Sequence, residues 1–386
     1  MRILYGFSNC TDKKYKELTF GKETAVLLPD QKYHGLLIKG LSSNGADVKC
    51  FSGLPINRSL TNKIFIREKD EIQDGVYYHY YNTVNLPVLR QLIIFLKAFF
   101  CVLSEKKQDD TFLICDCLNI ANSYGMALAA KLKRIPVITV VTDLPDFMYT
   151  SKVTRKTANN FFKLADGFIL ITEAMNSRIN PNSKPSVVIE GLVDTNPIGN
   201  TDKKELTEGV KRIVYSGSVR KRYKIKNLID GFLLANLDSA ELLIYGDGDY
   251  ADEVKNTTEK NIKYMGVHDN SEVVKAQHSA SLLVNPRPTA PEYTKYSFPL
   301  KNAEYMASGT PVLSTKLPGI PKEYLPYMLL IEDETPFGIA DALKRFFSLP
   351  IEERTEFGKK ASEFVTKQKS NYIQSKKVLD FLQRNF

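Results

Sequence analysis

The chain has 386 residues, too many for one ordinary compact domain, and its 43% apolar and 25% charged content is that of a globular protein. Plentiful Phe and Tyr without low-complexity tracts exclude a disordered chain. The net charge of +9 favours anionic partners, but no Arg-rich arm, zinc-finger spacing or RNA-binding strand signature accompanies it, so nucleic acid is not expected.

The chain opens on Met1-Arg2-Ile3-Leu4-Tyr5-Gly6, a strand pattern and not a signal peptide, so a cytoplasmic protein is expected. The first half predicts strands over 2–5, 47–51, 112–115, 136–141, 167–171 and 187–190, with helices over 35–43, 88–103, 120–133 and 158–165. Continuous apolar strands separated by helices imply a parallel sheet covered on both faces. Cys10, Cys50, Cys101, Cys115 and Cys117 are scattered and odd in number. They read as small buried residues of a reducing compartment, not as disulfide partners or zinc ligands. The stretch from Leu86 to Leu103 comes nearest to a membrane span, but Arg90 and Lys97 interrupt it. Those two share a helical face. Two readings stay open: a core helix with a solvated edge, or a helix lying on an anionic membrane surface.

A polar stretch with Pro and Gly over 193–202 is the best linker. Beyond it the pattern restarts, with strands over 212–215, 240–245, 262–265, 280–285, 311–314 and 328–331. Helices are expected over 225–235, 271–277, 300–308, 337–347 and 351–382, the last as one helix or two with a bend. The expected architecture is α/β: a Rossmann-like domain over 1–195, completed by a C-terminal helix over 368–386, and a second over 203–367. Two doubly wound domains of this kind face a cleft, with ligands outside the strand carboxyl ends.

Three segments of the second half carry chemistry. In Val214-Tyr215-Ser216-Gly217-Ser218-Val219-Arg220-Lys221-Arg222-Tyr223-Lys224 a strand runs into a small-residue turn, a basic loop and a helix. Small residues let backbone amides approach a phosphate, and the cations neutralise it. The P-loop and dinucleotide glycine patterns are missing, which counts against ATPase and dehydrogenase readings. Next, Tyr245-Gly246-Asp247-Gly248-Asp249 ends a strand in a Gly-x-Gly turn. Third, in Tyr296-Ser297-Phe298-Pro299-Leu300-Lys301-Asn302-Ala303-Glu304-Tyr305-Met306-Ala307-Ser308-Gly309-Thr310-Pro311-Val312, Pro299 opens a helix and Gly309 closes it. Glu304, about one turn in, is placed either to accept two hydrogen bonds from a ribose diol or to sit on a solvated face.

The stretch from Glu304 to Val312 resembles the signature of family-4 retaining glycosyltransferases of the GT-B fold, a Glu-x7-Glu followed by Ala-x-Gly-x-Pro-Val. The Ser-Gly-Ser basic loop and the Gly-Asp-Gly turn stand upstream in the family's order. The resemblance runs over roughly 212–312 and is looser at Val141-Thr142-Asp143-Leu144-Pro145 and Ile189-Glu190-Gly191-Leu192-Val193-Asp194. It implies transfer of a sugar from a nucleoside-diphosphate sugar, a UDP-sugar, to a glycan or polyprenyl-diphosphate-linked saccharide at the inner membrane face. Such enzymes build bacterial capsule, exopolysaccharide and other cell-surface polysaccharides. By this resemblance Glu304 holds the donor ribose, and 218–224 binds the diphosphate with Arg220 and Lys224 as its cations. Phe298, Pro299 and Leu300 match the loop whose backbone amides approach the donor sugar and phosphate, and Lys301 and the turns at Gly217, Ser218 and Gly246 complete the donor site. The first Glu of the signature falls at Tyr296, and Glu292 is out of register, which bears on the donor sugar.

Charge grows on the leaving phosphate during transfer, so Arg220, Lys224 and the Ser218 amide are the expected stabilisers. Retention, and a departing phosphate that takes the acceptor proton on the same face, are carried over from the family. No metal or cofactor is expected, since no Asp-x-Asp with nearby ligands occurs. Asp143 and Asp116, at strand carboxyl ends, and His34, ahead of the predicted first helix, are the candidates toward the acceptor, each with a structural role as the alternative. Asp143 joins the catalytic set. Two other readings remain: a nucleotide-sugar 2-epimerase of the same fold, and a non-catalytic binding subunit, which Tyr296 keeps open.

Overall fold

The computed structural model describes residues 1–19, 29–56, 61–194 and 209–386. They divide into two units, Met1–Leu192 with Asn371–Phe386, and Val193–Ser370. Most of the expected linker, 195–202, and the expected boundaries at 195 and 203 lie outside the described residues.

The first unit holds β1 (Arg2–Gly6), β2 (Asp47–Ser52), β3 (Phe65–Ile66), β4 (Glu71–Gln73), β5 (Val76–Tyr80), β6 (Thr83–Val84), β7 (Thr111–Asp116), β8 (Val137–Val141), β9 (Gly167–Leu170) and β10 (Ser186–Val188). Its main sheet runs β10-β9-β8-β7-β1-β2-β5-β4. Every pairing is parallel except β4 with β5, and β3 pairs with β6 as a separate antiparallel ribbon. Every residue of β7, β8 and β9 is buried, as continuous apolar strands covered on both faces require. No strand was expected over 53–110; β4 and β5 form there around an Asp74-Gly75 turn in which both residues have positive φ.

The helix Pro29–Ser43 starts earlier than the expected 35–43 and buries Tyr33, His34, Leu37, Ile38 and Leu41. His34 therefore lies inside it. The helix Asn371–Asn385 packs alongside, where Ser375 Oγ donates to the Leu37 carbonyl at 3.1 Å. Any side chain at Gly40 would strike the Asn371 carbonyl, 2.3 Å from an ideal Cβ. The expected helix over 351–382 is two, Ile351–Gln368 and Asn371–Asn385. They break at Lys369 and Ser370, where Ser370 bridges Val193.

The helix Pro87–Ser104 corrects the expectation of a solvated Arg90–Lys97 stripe. Arg90 is only 8% exposed. Its guanidinium donates to the carbonyls of Ile56, Gly53 and Leu54, so it ties the 53–56 loop to the helix. Ile94, Ala98 and Val102 complete the buried face, while Leu92, Leu96 and Phe100 are exposed at 54%, 44% and 60%.

The second unit holds β11 (Lys211–Ser216), β12 (Ala240–Tyr245), β13 (Ile262–Gly266), β14 (Leu282–Asn285), β15 (Val312–Thr315) and β16 (Leu329–Ile331). All are parallel, in the order β13-β12-β11-β14-β15-β16. Ile225, Leu228 and Phe232 from the helix Ile225–Ala235, and Ile339, Leu343 and Phe346 from Pro336–Ser348, bury against Ile213, Leu242 and Ile244 of the sheet. Register sets Ser216, the last residue of β11, opposite Tyr245, the last of β12. The turns that follow both strands are thereby brought side by side.

Candidate functional site

The two turns interlock through their backbones. The Gly217 amide donates to the Tyr245 carbonyl at 3.0 Å and the Val219 amide to the Asp247 carbonyl at 2.8 Å. Gly246 has φ +122, and an ideal Cβ on it would stand 1.8 Å from the Gly217 carbonyl oxygen. Glycine is required there by strand-end packing as well as by conformation. Gly217, with φ +150, faces Lys301: an ideal Cβ would stand 2.2 Å from Lys301 Nζ.

The helix Leu300–Ala307 follows Pro299, and Gly309 leaves it with φ +76, as the sequence pattern requires. Two of its side chains, Tyr305 and Asn302, bolt it to strand ends. The Tyr305 hydroxyl accepts from the Ser216 amide at 2.8 Å and donates to the Ser216 carbonyl at 2.9 Å. Burial pushes its pKa up to about 12, so it stays a neutral hydroxyl. Asn285, at the end of β14, donates Nδ2 to Asn302 Oδ1 at 2.7 Å, and Asn302 donates to Ser314 Oγ of β15 at 3.0 Å. Phe298 is buried against Tyr324, with ring centroids 5.1 Å apart, so its side chain anchors the loop. The free amides of the first turn, the turn at Gly217 and Ser218, and the half-buried Glu304 are thus gathered at one sheet end.

Three lysines in and beside the basic loop are paired with carboxylates. Lys221–Tyr223 forms a short 3₁₀ turn, and Lys224 takes the left-handed conformation, φ 54°. Lys224 Nζ lies 3.6 Å from Glu334, Lys221 pairs with Glu253 at 2.8 Å, and Lys226 with Asp230 at 2.6 Å. Arg220 is exposed. Lys301, by contrast, is half-buried and donates to the Tyr215 hydroxyl at 3.3 Å, with Nζ 4.5 Å from that ring's centroid. Burial, then the nearby Arg287, pulls its pKa down to about 7, against a raising effect from Glu304. Arg287 lies over Tyr223 and Tyr293, at 5.5 and 5.0 Å. Its only positional signal in the sequence is that it follows the strand predicted over 280–285, between Pro286 and Pro288.

In the first unit, His34 and Asp116 are brought together, but inside the protein, 0% and 1% exposed. His34 Nδ1 lies 2.6 Å from the Tyr5 hydroxyl and Nε2 3.1 Å from Asp116 Oδ2. Burial raises the Tyr5 pKa well above its usual value. Tyr5 is therefore the donor to Nδ1, and Nε2 carries the proton offered to Asp116. Asp116 Oδ1 accepts from the Leu118 amide at 2.6 Å. This burial is at odds with the expectation that either residue contacts an acceptor; both support the ends of β1 and β7. Asp143 follows β8, half-buried. Among the described residues no three His, Cys, Asp or Glu side chains group to hold a metal.

Residues 210–348 match the family model for glycosyl transferases group 1. No curated protein matches the chain in sequence. Solved structures match it in fold over nearly its whole length. Sucrose-phosphate synthase from Thermosynechococcus elongatus superposes with a TM-score of 0.69 at 14% identity, covering 99% of this chain and 98% of its own. HepE of Anabaena, in complex with UDP, gives 0.66 at 16% identity, with 100% of both chains covered. The lipopolysaccharide outer core galactosyltransferase WaaB, in its apo form, gives 0.60 at 14%, again with 100% of both covered. The chain therefore carries a glycosyl transferases group 1 domain over 210–348 and has the GT-B fold of glycosyltransferases.

Proposed function

We propose that the protein is a retaining, family-4 type enzyme that moves a sugar from a UDP-sugar to a glycan or lipid-linked saccharide acceptor in cell-surface polysaccharide synthesis. The observation that carries this reading is the helix Leu300–Ala307, fixed by Tyr305 to the end of β11 beside the Gly217 turn, with Glu304 one turn in. The structure of HepE with UDP supports the choice of nucleotide. Glu304 would accept both ribose hydroxyls. The amides of Leu300 and Lys301 and that of Ser218 would meet the diphosphate, with Arg220 and Lys224 at its outer edge. Fixed amides and cations aimed at the leaving phosphate lower the barrier because its charge grows during transfer. This chemistry uses no metal or cofactor in the reading proposed here. The leaving phosphate would take the acceptor proton on the face it departs from, and Asp143 is proposed to meet the acceptor.

Attachment to the inner face of an anionic membrane is supported by the exposed row Leu92, Leu96 and Phe100, beside the exposed Lys97. The helix carrying them, Pro87–Ser104, is long and apolar enough to cross a membrane. Its buried Arg90 and Ile94 face nevertheless packs against the first unit. Tyr296 in place of a signature Glu favours a second reading, a binding subunit without activity.

Calorimetric titration with UDP and GDP, on wild-type protein and on Glu304→Ala, tests the reading. Micromolar binding of UDP that the variant loses is the expected result. If wild type binds neither nucleotide, the donor site does not exist. Release of free sugar from UDP-sugar by the pure protein separates an enzyme from a binding subunit.

A further inference from the structure

We propose that Arg287 and Lys301, and not the basic loop, are the principal cations that hold the donor's diphosphate, an inference that rests on the donor-site reading above. Of the loop cations, Lys221, Lys224 and Lys226 each have a carboxylate partner, and Arg220 and Arg222 are exposed to solvent. Among the described residues neither Arg287 nor Lys301 has a carboxylate in ion-pair contact. Arg287 is held by two tyrosine faces and a 3.5 Å contact to Ser297 Oγ, and its Nε is buried with no hydrogen-bond partner. A buried guanidinium N–H without an acceptor is costly, and an incoming phosphate oxygen would supply the acceptor.

Lys301 completes the arrangement. It is the second residue of the helix whose free amides face the site, and its Nζ rests against Gly217 in the turn after β11. Its one close polar contact, the Tyr215 hydroxyl, itself donates to the Ser218 carbonyl at 2.8 Å, so the ammonium is aimed along the turn. The two cations are close enough that Arg287 lowers the Lys301 pKa. Two neighbouring half-buried cations repel each other, and an anion bound beside both relieves that repulsion. A nucleoside diphosphate is that anion.

The test measures UDP and uridine affinity for wild type, Arg287→Met, Lys301→Met, Arg287→Lys and the double variant Arg220→Ala/Lys224→Ala. Loss of a charge-assisted contact predicts a fall of about tenfold or more in UDP affinity for each Met variant, with uridine affinity unchanged. Arg287→Lys should recover part of the loss. The proposal is overturned if both Met variants bind UDP like wild type, or if they lose uridine equally. It also falls if the double variant loses more UDP affinity than they do. Should one Met variant fail to fold, the other carries the same comparison. If wild type binds uridine but gains nothing from the diphosphate, this inference fails while the nucleoside site stands. If wild type binds neither, the donor-site reading itself falls.

Discussion

Replacing Tyr305 with Phe deletes one oxygen and keeps the ring, so it isolates what that oxygen does. The hydroxyl serves both the amide and the carbonyl of Ser216, at 2.8 and 2.9 Å, and also accepts from Ser216 Oγ at 3.1 Å. Tyr305 is 0% exposed and Ser216 8%, so solvent does not replace the lost partner. An orphaned buried amide costs about 1–3 kcal/mol, and the carbonyl adds a smaller amount because its second lone pair is less demanding. The sum is about 2–3 kcal/mol. For a unit of this size each kcal/mol moves the melting midpoint by about 2–4 °C. Scanning calorimetry of Tyr305→Phe should therefore show the transition of the second unit lowered by about 4–12 °C, with that of the first unit unmoved. UDP affinity should fall as well, because the helix amides lose their anchor. A shift under about 1 °C would refute the claim that this hydroxyl fastens the helix to β11.

Arg90→Met removes the donor to three loop carbonyls, two of them at 2.6 and 2.9 Å; urea denaturation should show the first unit weakened by about 2–4 kcal/mol. Replacing Leu92, Leu96 and Phe100 with Ser should abolish sedimentation with anionic vesicles at low salt while leaving UDP binding intact. UDP affinity should also depend on pH through Lys301, whose pKa near 7 in the free protein must rise when the diphosphate binds. Below pH 7 the ammonium is already formed. Above it, binding has to take up a proton, so affinity should fall as pH rises, approaching tenfold per unit, and titrations in buffers of different ionisation heat should report that uptake. Lys301→Met should show neither effect.

The α/β class was legible because β7 to β9 and the centres of β11 and β12 carry continuous apolar runs, as a sheet covered on both faces requires. The helix bearing Glu304 was legible from its ends, since Pro299 and Gly309 each do what only those residues do cheaply. β4 and β6 escaped because strands of two or three mostly polar residues carry no periodicity to read. Arg90 was misread for a related reason: spacing puts it on one helix face with Lys97, yet tertiary contacts leave Lys97 exposed and bury Arg90. The carbonyls that hold it come from 53–56, more than thirty residues upstream. The same limit hid the ion pairs that the loop lysines make. Whether a cation is enclosed or already paired depends on tertiary contacts such as Lys224 with Glu334 and Lys301 with Gly217.

The helix Asn371–Asn385 lies against Pro29–Ser43, and Gln374 donates to the Gly191 carbonyl at 3.0 Å. On the ribosome this sets an order of events. The second unit can close as soon as its own segment has emerged, whereas the first must wait, its Leu37 and Leu41 side partly uncovered, until the whole of the second has been translated. The unit made first is finished last, so a nascent chain stalled anywhere in the second unit would display an open apolar groove for a chaperone to find.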